Sequence, residues 1–397
     1  MQVIERKKFQ VLQRSLEDQR ILVITGMRGV GKTTALKWLL DQVASINKVY
    51  LDLGRMDQRS VFEQHNVDDL VSYLGSLGLT IHQPLTIALD EIQAAPNALP
   101  MVKFLYDRYH VKFILAGCTS LYLKNHFSET LADRKLIFEL TPLGFGEFLD
   151  FHGIPYRQRV DWQEMQFDRQ EFNRLKDLYG EFVTYGGLPA VVMEPRPKLK
   201  QEVLTALLST YINQDVGSLA EFRKLSELQL LLQVLSMRIG KKLDPVNLSN
   251  IVGISRPTLN GYLDFLEKTY IISQLPAFAG PDKALALGRR IYFCDNGFAG
   301  TLANPGEGAF FENAVYNQLR AYGVDSFYSL SSESEIDFIL APTQSAPAAL
   351  KVEYHPLKSD HLRLQRVSRK VEIPQAWMVG RYPTPGFEQF VWGGLIF

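Results

Sequence analysis

The chain has little cysteine and no surplus of charge of either sign. Among its 397 residues, Cys118 and Cys294 are the two cysteines, too few for a disulfide framework or a thiolate zinc site. Each directly follows an apolar, strand-like run, so both are expected to be buried and reduced. Forty-three basic residues balance forty-three acidic ones, giving a formal net charge of zero. No bulk field therefore draws the chain towards nucleic acid or an anionic membrane, and any such partner must be read from local features. No apolar run approaches the ~18 residues of a membrane span. The opening MQVIERKKFQ is charged, with no signal-peptide core behind it, which points to a cytoplasmic protein without a membrane partner. Internal repeats and low-complexity tracts are missing too. What remains is an ordinary globular composition, 46% hydrophobic and 22% charged, long enough for two or three domains.

What is present begins with ITGMRGVGKTT, residues 24–34. Gly26-x-x-x-x-Gly31-Lys32-Thr33 completes a P-loop pattern between the apolar run Ile21–Thr25 and the helix-like Thr34–Val43, the context its mechanism demands. Gly26, Met27, Arg28, Gly29, Val30, Gly31, Lys32, Thr33 and Thr34 would offer backbone N–H groups and a helix N-terminus to phosphates. Lys32 would reach the β- and γ-phosphates and Thr33 would ligate Mg2+, so ATP or ADP with Mg2+ is the expected ligand. Asp90 closes the apolar run Ile87–Leu89, the place for the carboxylate that holds Mg2+ through water or through Thr33. Glu91 beside it favours hydrolysis over phosphotransfer, since polarising water needs a base and no acceptor-binding motif is visible. Thr119, in Gly117-Cys118-Thr119-Ser120, either senses the γ-phosphate or caps the next helix with Ser120. Arg134 either lends charge to a γ-phosphate, in cis or across a subunit interface, or is a plain surface arginine.

Phe9, Leu12 and Leu16 give residues 1–20 an amphipathic helical pattern, and further apolar runs occur at Val49–Leu53 and Val111–Ala116. Strands alternating with helix-length segments predict a parallel α/β sheet around the nucleotide. From about 148 to 235 the pattern is helical, with residues 200–217 reading as one helix ending at Gly217. Residues 243–272 read as two helices around Gly253, the second capped by Ser255 with Pro257 in its first turn, then the start of a β wing. If this winged helix reads DNA, Arg256, Thr258 and Asn260 would face it. Residues 221–290 hold ten Lys or Arg against six Asp or Glu, only mildly basic, so a spacer or protein-binding role stands beside DNA binding.

LVITGMRGVGKTT, LDEIQ, FILAGCTS, LADRKLIFELTPLGFGEFL, YGGLPAVV and EIDFIL, in that order along nearly the whole chain, resemble a prokaryotic family of AAA-type ATPases fused to an uncharacterised C-terminal domain. That family is similar to archaeal-type ATPases of the STAND lineage. The resemblance implies an α/β AAA-like P-loop domain over residues 1–147 and a helical linker or lid over 148–220. A winged helix over 221–280 and an α/β domain resembling PD-(D/E)xK nucleases over 281–397 would follow. It maps Lys32, Thr33, Asp90 and Glu91 onto the ATPase motif positions. Arg134 falls where many relatives carry a Gly-Arg pair, with Asp133 in place of the glycine. A nuclease of this type needs an acid on a helix, an Asp on one strand and acid-x-Lys on the next, to hold a divalent metal and activate water. Glu312 and Asp337 fit, but Lys351-Val352-Glu353 reverses the last pair. Side chains two apart share a strand face but lie roughly 6–7 Å apart along it. Either the register moves and Glu353-x-His355 serves, or the site is dead and the fold is kept for binding; the transposition favours the second. The function expected is a switch dependent on Mg·ATP that couples nucleotide state to the later domains, with a protein partner or homo-oligomer. The alternative is a DNA-binding regulator or defence-type ATP-dependent nuclease.

Overall fold

In the computed structural model, residues 3–63, 66–95, 97–118, 131, 133–157, 167–216, 225–278, 288–323, 327–329, 336–341, 346–383 and 389–396 are described. The chain divides into two compact units, Met1–Thr141 with Lys268–Tyr270, and Pro142–Glu267 with Ile271–Phe397. The segments 148–220, 221–280 and 281–397 thus lie almost entirely in the second unit.

In the first unit, β1 (Ile21–Thr25), β2 (Lys48–Asp52), β3 (Thr86–Asp90), β4 (Lys112–Gly117) and β5 (Lys135–Glu139) form a sheet in the order β2-β3-β4-β1-β5. Every pairing is parallel. Helices α1 (Lys7–Arg14), α2 (Lys32–Gln42), α3 (Met56–Glu63), α4 (Val67–Ser76) and α5 (Ala98–Tyr109) accompany it. A parallel sheet is covered on both faces, so its inner strands read as unbroken apolar runs; β1 and β3 are buried at every residue. Ile21 and Val23 point into a core shared with Phe62, Leu70, Leu74 and Leu105. Leu22 and Ile24 alternate to the other face, where α2 packs. The edge strand β5 is mostly half-exposed. The helix expected over residues 1–20 is regular only over Lys7–Arg14, with a 3-10 turn at Ser15–Glu17. Phe9 in it meets Trp38 of α2 at a ring separation of 4.9 Å. Among the described residues Cys118 and Cys294 form no disulfide, and both are buried, as expected.

The second unit opens with α6 (Phe145–Phe151), α7 (Arg169–Tyr185), α8 (Pro189–Val192) and α9 (Pro197–Thr210). The helix expected over 200–217 begins at Pro197 and passes without a break into a π-helical turn at Tyr211–Val216; Gly217 lies outside the described residues. Then come α10 (Leu225–Ser236), α11 (Pro245–Val252), α12 (Arg256–Lys268), and an antiparallel pair of β6 (Ile272–Pro276) and β7 (Arg289–Phe293). The Asp244 side chain caps α11 and Pro245 opens it, while Gly253 ends it at φ 76, a left-handed conformation that glycine adopts without strain.

After α13 (Asn296–Leu302) and α14 (Glu307–Tyr322), β8 (Phe327–Tyr328), β9 (Phe338–Leu340), β10 (Ala348–Glu353), β11 (Gln375–Gly380) and β12 (Phe390–Trp392) form a mixed sheet, with α15 (Lys358–Lys370) crossing from β10 to β11. The β10–β11 and β11–β12 pairs are parallel, and β8–β9 and β9–β10 antiparallel. Helix α14 packs against β10. Among the described residues no helix is long and apolar enough to cross a membrane.

Candidate nucleotide site and a C-terminal charge cluster

The P-loop leaves β1 at Gly26, whose φ is 142. A β-carbon at Gly26 would sit 2.2 Å from the carbonyl oxygen of Leu140, so only glycine lets the loop turn this tightly. Gly29 and Gly31 also hold positive φ, 85 and 95, which bends the loop round before α2 starts at Lys32. Buried Arg6 braces it from outside, its Nη1 donating to the carbonyls of Val30 (3.1 Å) and Thr141 (2.9 Å). The Tyr270 hydroxyl donates to Thr25 Oγ1 at 2.9 Å, one residue before Gly26. The Lys32 ammonium is buried and donates to the carbonyls of Gly26 and Met27, both at 2.9 Å.

Asp90 ends β3 beside this loop. Its Oδ2 accepts from the Thr33 hydroxyl at 2.6 Å and the Tyr50 hydroxyl at 3.0 Å, and its Oδ1 from the Glu91 amide at 3.0 Å. Tyr50 on β2 did not stand out in the sequence, because a tyrosine in an edge strand looks like any other strand residue. Burial, then the Asp90 charge, holds its hydroxyl well above the ordinary tyrosine range. Glu91 has φ 51, a region costly for a residue with a side chain. Burial raises its carboxyl above the usual range, against the pull of Lys32 and Arg28 in the P-loop. Its Oε2 accepts from Gln93 Nε2, and the Cys118 thiol lies 4.0 Å away. Three glycines at positive φ, a buried lysine, and a hydroxyl paired with a carboxylate fit a magnesium-bound nucleotide.

Thr119 lies outside the described residues. Arg134 stands apart from the P-loop: its carbonyl accepts from the Ile21 amide at 2.7 Å, so it precedes β5 at the start of β1. Thr25 is four residues further along β1, roughly 13 Å away. The Arg134 Nε donates to Asp107 Oδ1 at 2.8 Å. A role in cis, on a phosphate at its own P-loop, is therefore corrected: the parallel sheet puts it at the wrong end of the strands. Asp133 before it has φ 57, a left-handed conformation that glycine adopts without strain.

Residues 18–149 match the family model described as an AAA domain. That match supports an AAA-type ATPase over this stretch, and it spans the sheet, the P-loop and Asp90-Glu91. Residues 176–307 match a domain of unknown function, DUF8612. Over 348 residues the chain is 26% identical to an uncharacterized protein of Methanocaldococcus jannaschii, covering 84% of this chain and 76% of the relative. Over 355 residues it is 25% identical to an uncharacterized protein of Haemophilus influenzae, covering 85% and 84%. Among solved structures, Thermotoga maritima RuvB aligns at a TM-score of 0.34 with 16% identity, over 72% of this chain and 90% of that one. The Aeropyrum pernix ORC1 protein in complex with DNA aligns at 0.31 with 14% identity, over 74% and 91%.

In the second unit, Glu312 on α14, Asp337 before β9, and Lys351 and Glu353 on β10 do come together. The Lys351 ammonium lies 3.2 Å from Asp337 Oδ2 and 3.2 Å from Glu353 Oε1. Arg290 of β7 lies 3.5 Å from Asp337, and the Val352 amide donates to Asp337 at 2.7 Å. Tyr292 donates to Glu312 at 2.7 Å. Burial, reinforced by the Asp337 charge, pushes the Glu312 carboxyl up to about 8. Burial opposes the Lys351 charge, but Asp337 and Glu353 outweigh it and hold the ammonium above its ordinary range. The Leu350–Phe338 pairing fixes the register, and β10 ends at Glu353, so His355 is no strand residue. Among the described residues no group of three or more His, Cys, Asp or Glu is placed to hold a metal; the cations Lys351 and Arg290 pair with the acids instead. Arg290 and Tyr292 went unseen in the sequence because the β7 pairing that aims them is not local.

At the start of α12, Arg256 and Asn260 are exposed. Thr258 is exposed as well, but its hydroxyl lies 2.8 Å from Ser255 Oγ and its amide donates to that oxygen at 3.3 Å. Thr258 thus serves the helix cap.

Proposed function

We propose that the chain is a magnesium-dependent ATP hydrolase of AAA type whose nucleotide state acts as a switch for the residues beyond its P-loop unit. The observation that carries this reading is the division of labour at the end of β3. Asp90 is engaged by Thr33 and Tyr50, while Glu91 is turned away at φ 51 onto a separate partner, Gln93. One carboxylate would hold the metal shell with Thr33, and the other would polarise water. Bound Mg2+ would neutralise charge on the β- and γ-phosphates. Lys32 would exchange its two loop carbonyls for phosphate oxygens, and the loop amides would hold the remaining charge. Glu91 would take the proton of the attacking water, helped by the burial that raises its basicity. If Arg134 acts on a γ-phosphate, it acts on that of a neighbouring copy. Phosphate release by wild type and Glu91→Gln tests the reading: a fall of about 10²-fold or more is expected, and equal rates would remove Glu91 as the base.

A second reading is a DNA-binding regulator. It is favoured by exposed Arg256 and Asn260 at the start of α12, in a helix–helix–hairpin order read as a winged helix. Whether duplex DNA stimulates hydrolysis separates the two. DNA cleavage has less support, since the Lys351 ammonium lies between Asp337 and Glu353. The C-terminal domain is read as a nuclease-like fold kept for binding.

A further inference from the structure

Gln93 lies two residues past Glu91, in the 3-10 turn Ile92–Ala94 that follows β3. Its side chain reaches across to β4, where the Cys118 backbone amide donates to Gln93 Oε1 at 3.3 Å. A backbone N–H can only donate, so the amide oxygen faces β4 and the NH2 group faces Glu91, to whose Oε2 it donates. Gly117 makes this docking possible. A β-carbon there would sit 2.8 Å from Gln93 Oε1 and 3.0 Å from Ile92 Cγ2. The surroundings of Glu91 are already charged: Lys32 and Arg28 come from the P-loop and Asp90 from β3. Tyr50 approaches from β2 and the Cys118 thiol from β4. A neutral amide orients the carboxylate there without adding charge.

We infer that Gln93 is a positioning residue for hydrolysis, its amide bridging the end of β4 to Glu91 and fixing the direction in which that carboxylate meets water. The inference rests on the reading of Glu91 as the base. It predicts that Gln93 and Gly117 act as one unit, because either the lost amide or an added methyl breaks the same bridge.

The test uses the full chain with Gln93→Met, Gln93→Glu, Gly117→Ala and the Gln93→Met/Gly117→Ala double variant, alongside Glu91→Gln. Gln93→Glu keeps the shape, so it decides the matter should Gln93→Met fold poorly. For each, kcat and KM with Mg·ATP, affinity for a fluorescent ATP analogue, and Tm are measured. The expected result is a kcat lower by about tenfold or more in each single variant, with KM and nucleotide affinity within about twofold. The double variant should be no worse than the poorer single variant. A kcat unchanged or raised, or losses that multiply in the double variant, would overturn the inference. If Glu91→Gln hydrolyses at the wild-type rate, the base assignment itself falls. If Glu91→Gln is inactive while the Gln93 variants match wild type, only the role of Gln93 falls.

Discussion

A single methyl group at Gly26 tests the phosphate cradle. In Gly26→Ala the new carbon would lie 2.2 Å from the Leu140 carbonyl, at a φ of 142 that alanine does not tolerate. The loop must open, and affinity for a fluorescent ATP analogue should fall by about tenfold or more, equivalent to ~1.4 kcal/mol; unchanged affinity would mean the cradle is not where phosphate binds. Gly26, Lys32, Thr33, Asp90 and Glu91 were legible in the sequence because the P-loop spacing and a carboxylate pair ending an apolar run are local patterns. Tyr50 was not, since its contact with Asp90 spans forty residues and depends on β2 lying beside β3. The part played by Gln93 was hidden likewise, because its partner Cys118 arrives on another strand.

Among the elements of the second unit, two buried charged groups, Asp295 and Lys351, each make a testable contribution. Asp295 caps α13 by accepting from the Phe298 amide at 3.2 Å and also takes the Gly187 amide at 2.8 Å. Burial, opposed by these donors, pushes its carboxyl up to about 6. The folded value lies above the unfolded one, so the stability linked to its protonated form is complete below pH ~3.8 and lost as pH rises through about 6. Thermal melts of wild type and Asp295→Asn across pH 4–8 should therefore differ by an amount that changes by roughly 3 kcal/mol at most; a constant difference would contradict the buried acid. Lys351 is the second test. Lys351→Met leaves Asp337 and Glu353 without their shared ammonium, and removing one partner of a buried ion pair costs about 3 kcal/mol. Urea unfolding followed by the fluorescence of Trp377 and Trp392, on β11 and β12, should show that loss. Adding Asp337→Asn should recover part of it. The reversal of Lys351 and Glu353 was plain in the sequence, but its consequence required the β9–β10 register, which puts the ammonium on Asp337.

At the scale of the whole molecule, the balanced composition leaves function to its local sites. The alternation of apolar runs and helical segments foretold the parallel sheet, because a sheet buried on both faces must be apolar along its inner strands. It did not foretell where Arg134 falls, since only the parallel pairing of β5 with β1 reveals which end of the sheet precedes Lys135. The change from α- to π-helical geometry at Tyr211–Val216 was hidden too. Hydrolysis of ATP by the P-loop unit through Glu91 is decided by steady-state phosphate release from Mg·ATP, measured together with nucleotide binding. Wild type should turn over, Glu91→Gln should keep ATP binding with turnover lower by about 10²-fold or more, and neither should turn over without Mg2+. Turnover by Glu91→Gln equal to wild type, or none by wild type despite bound Mg·ATP, would contradict it.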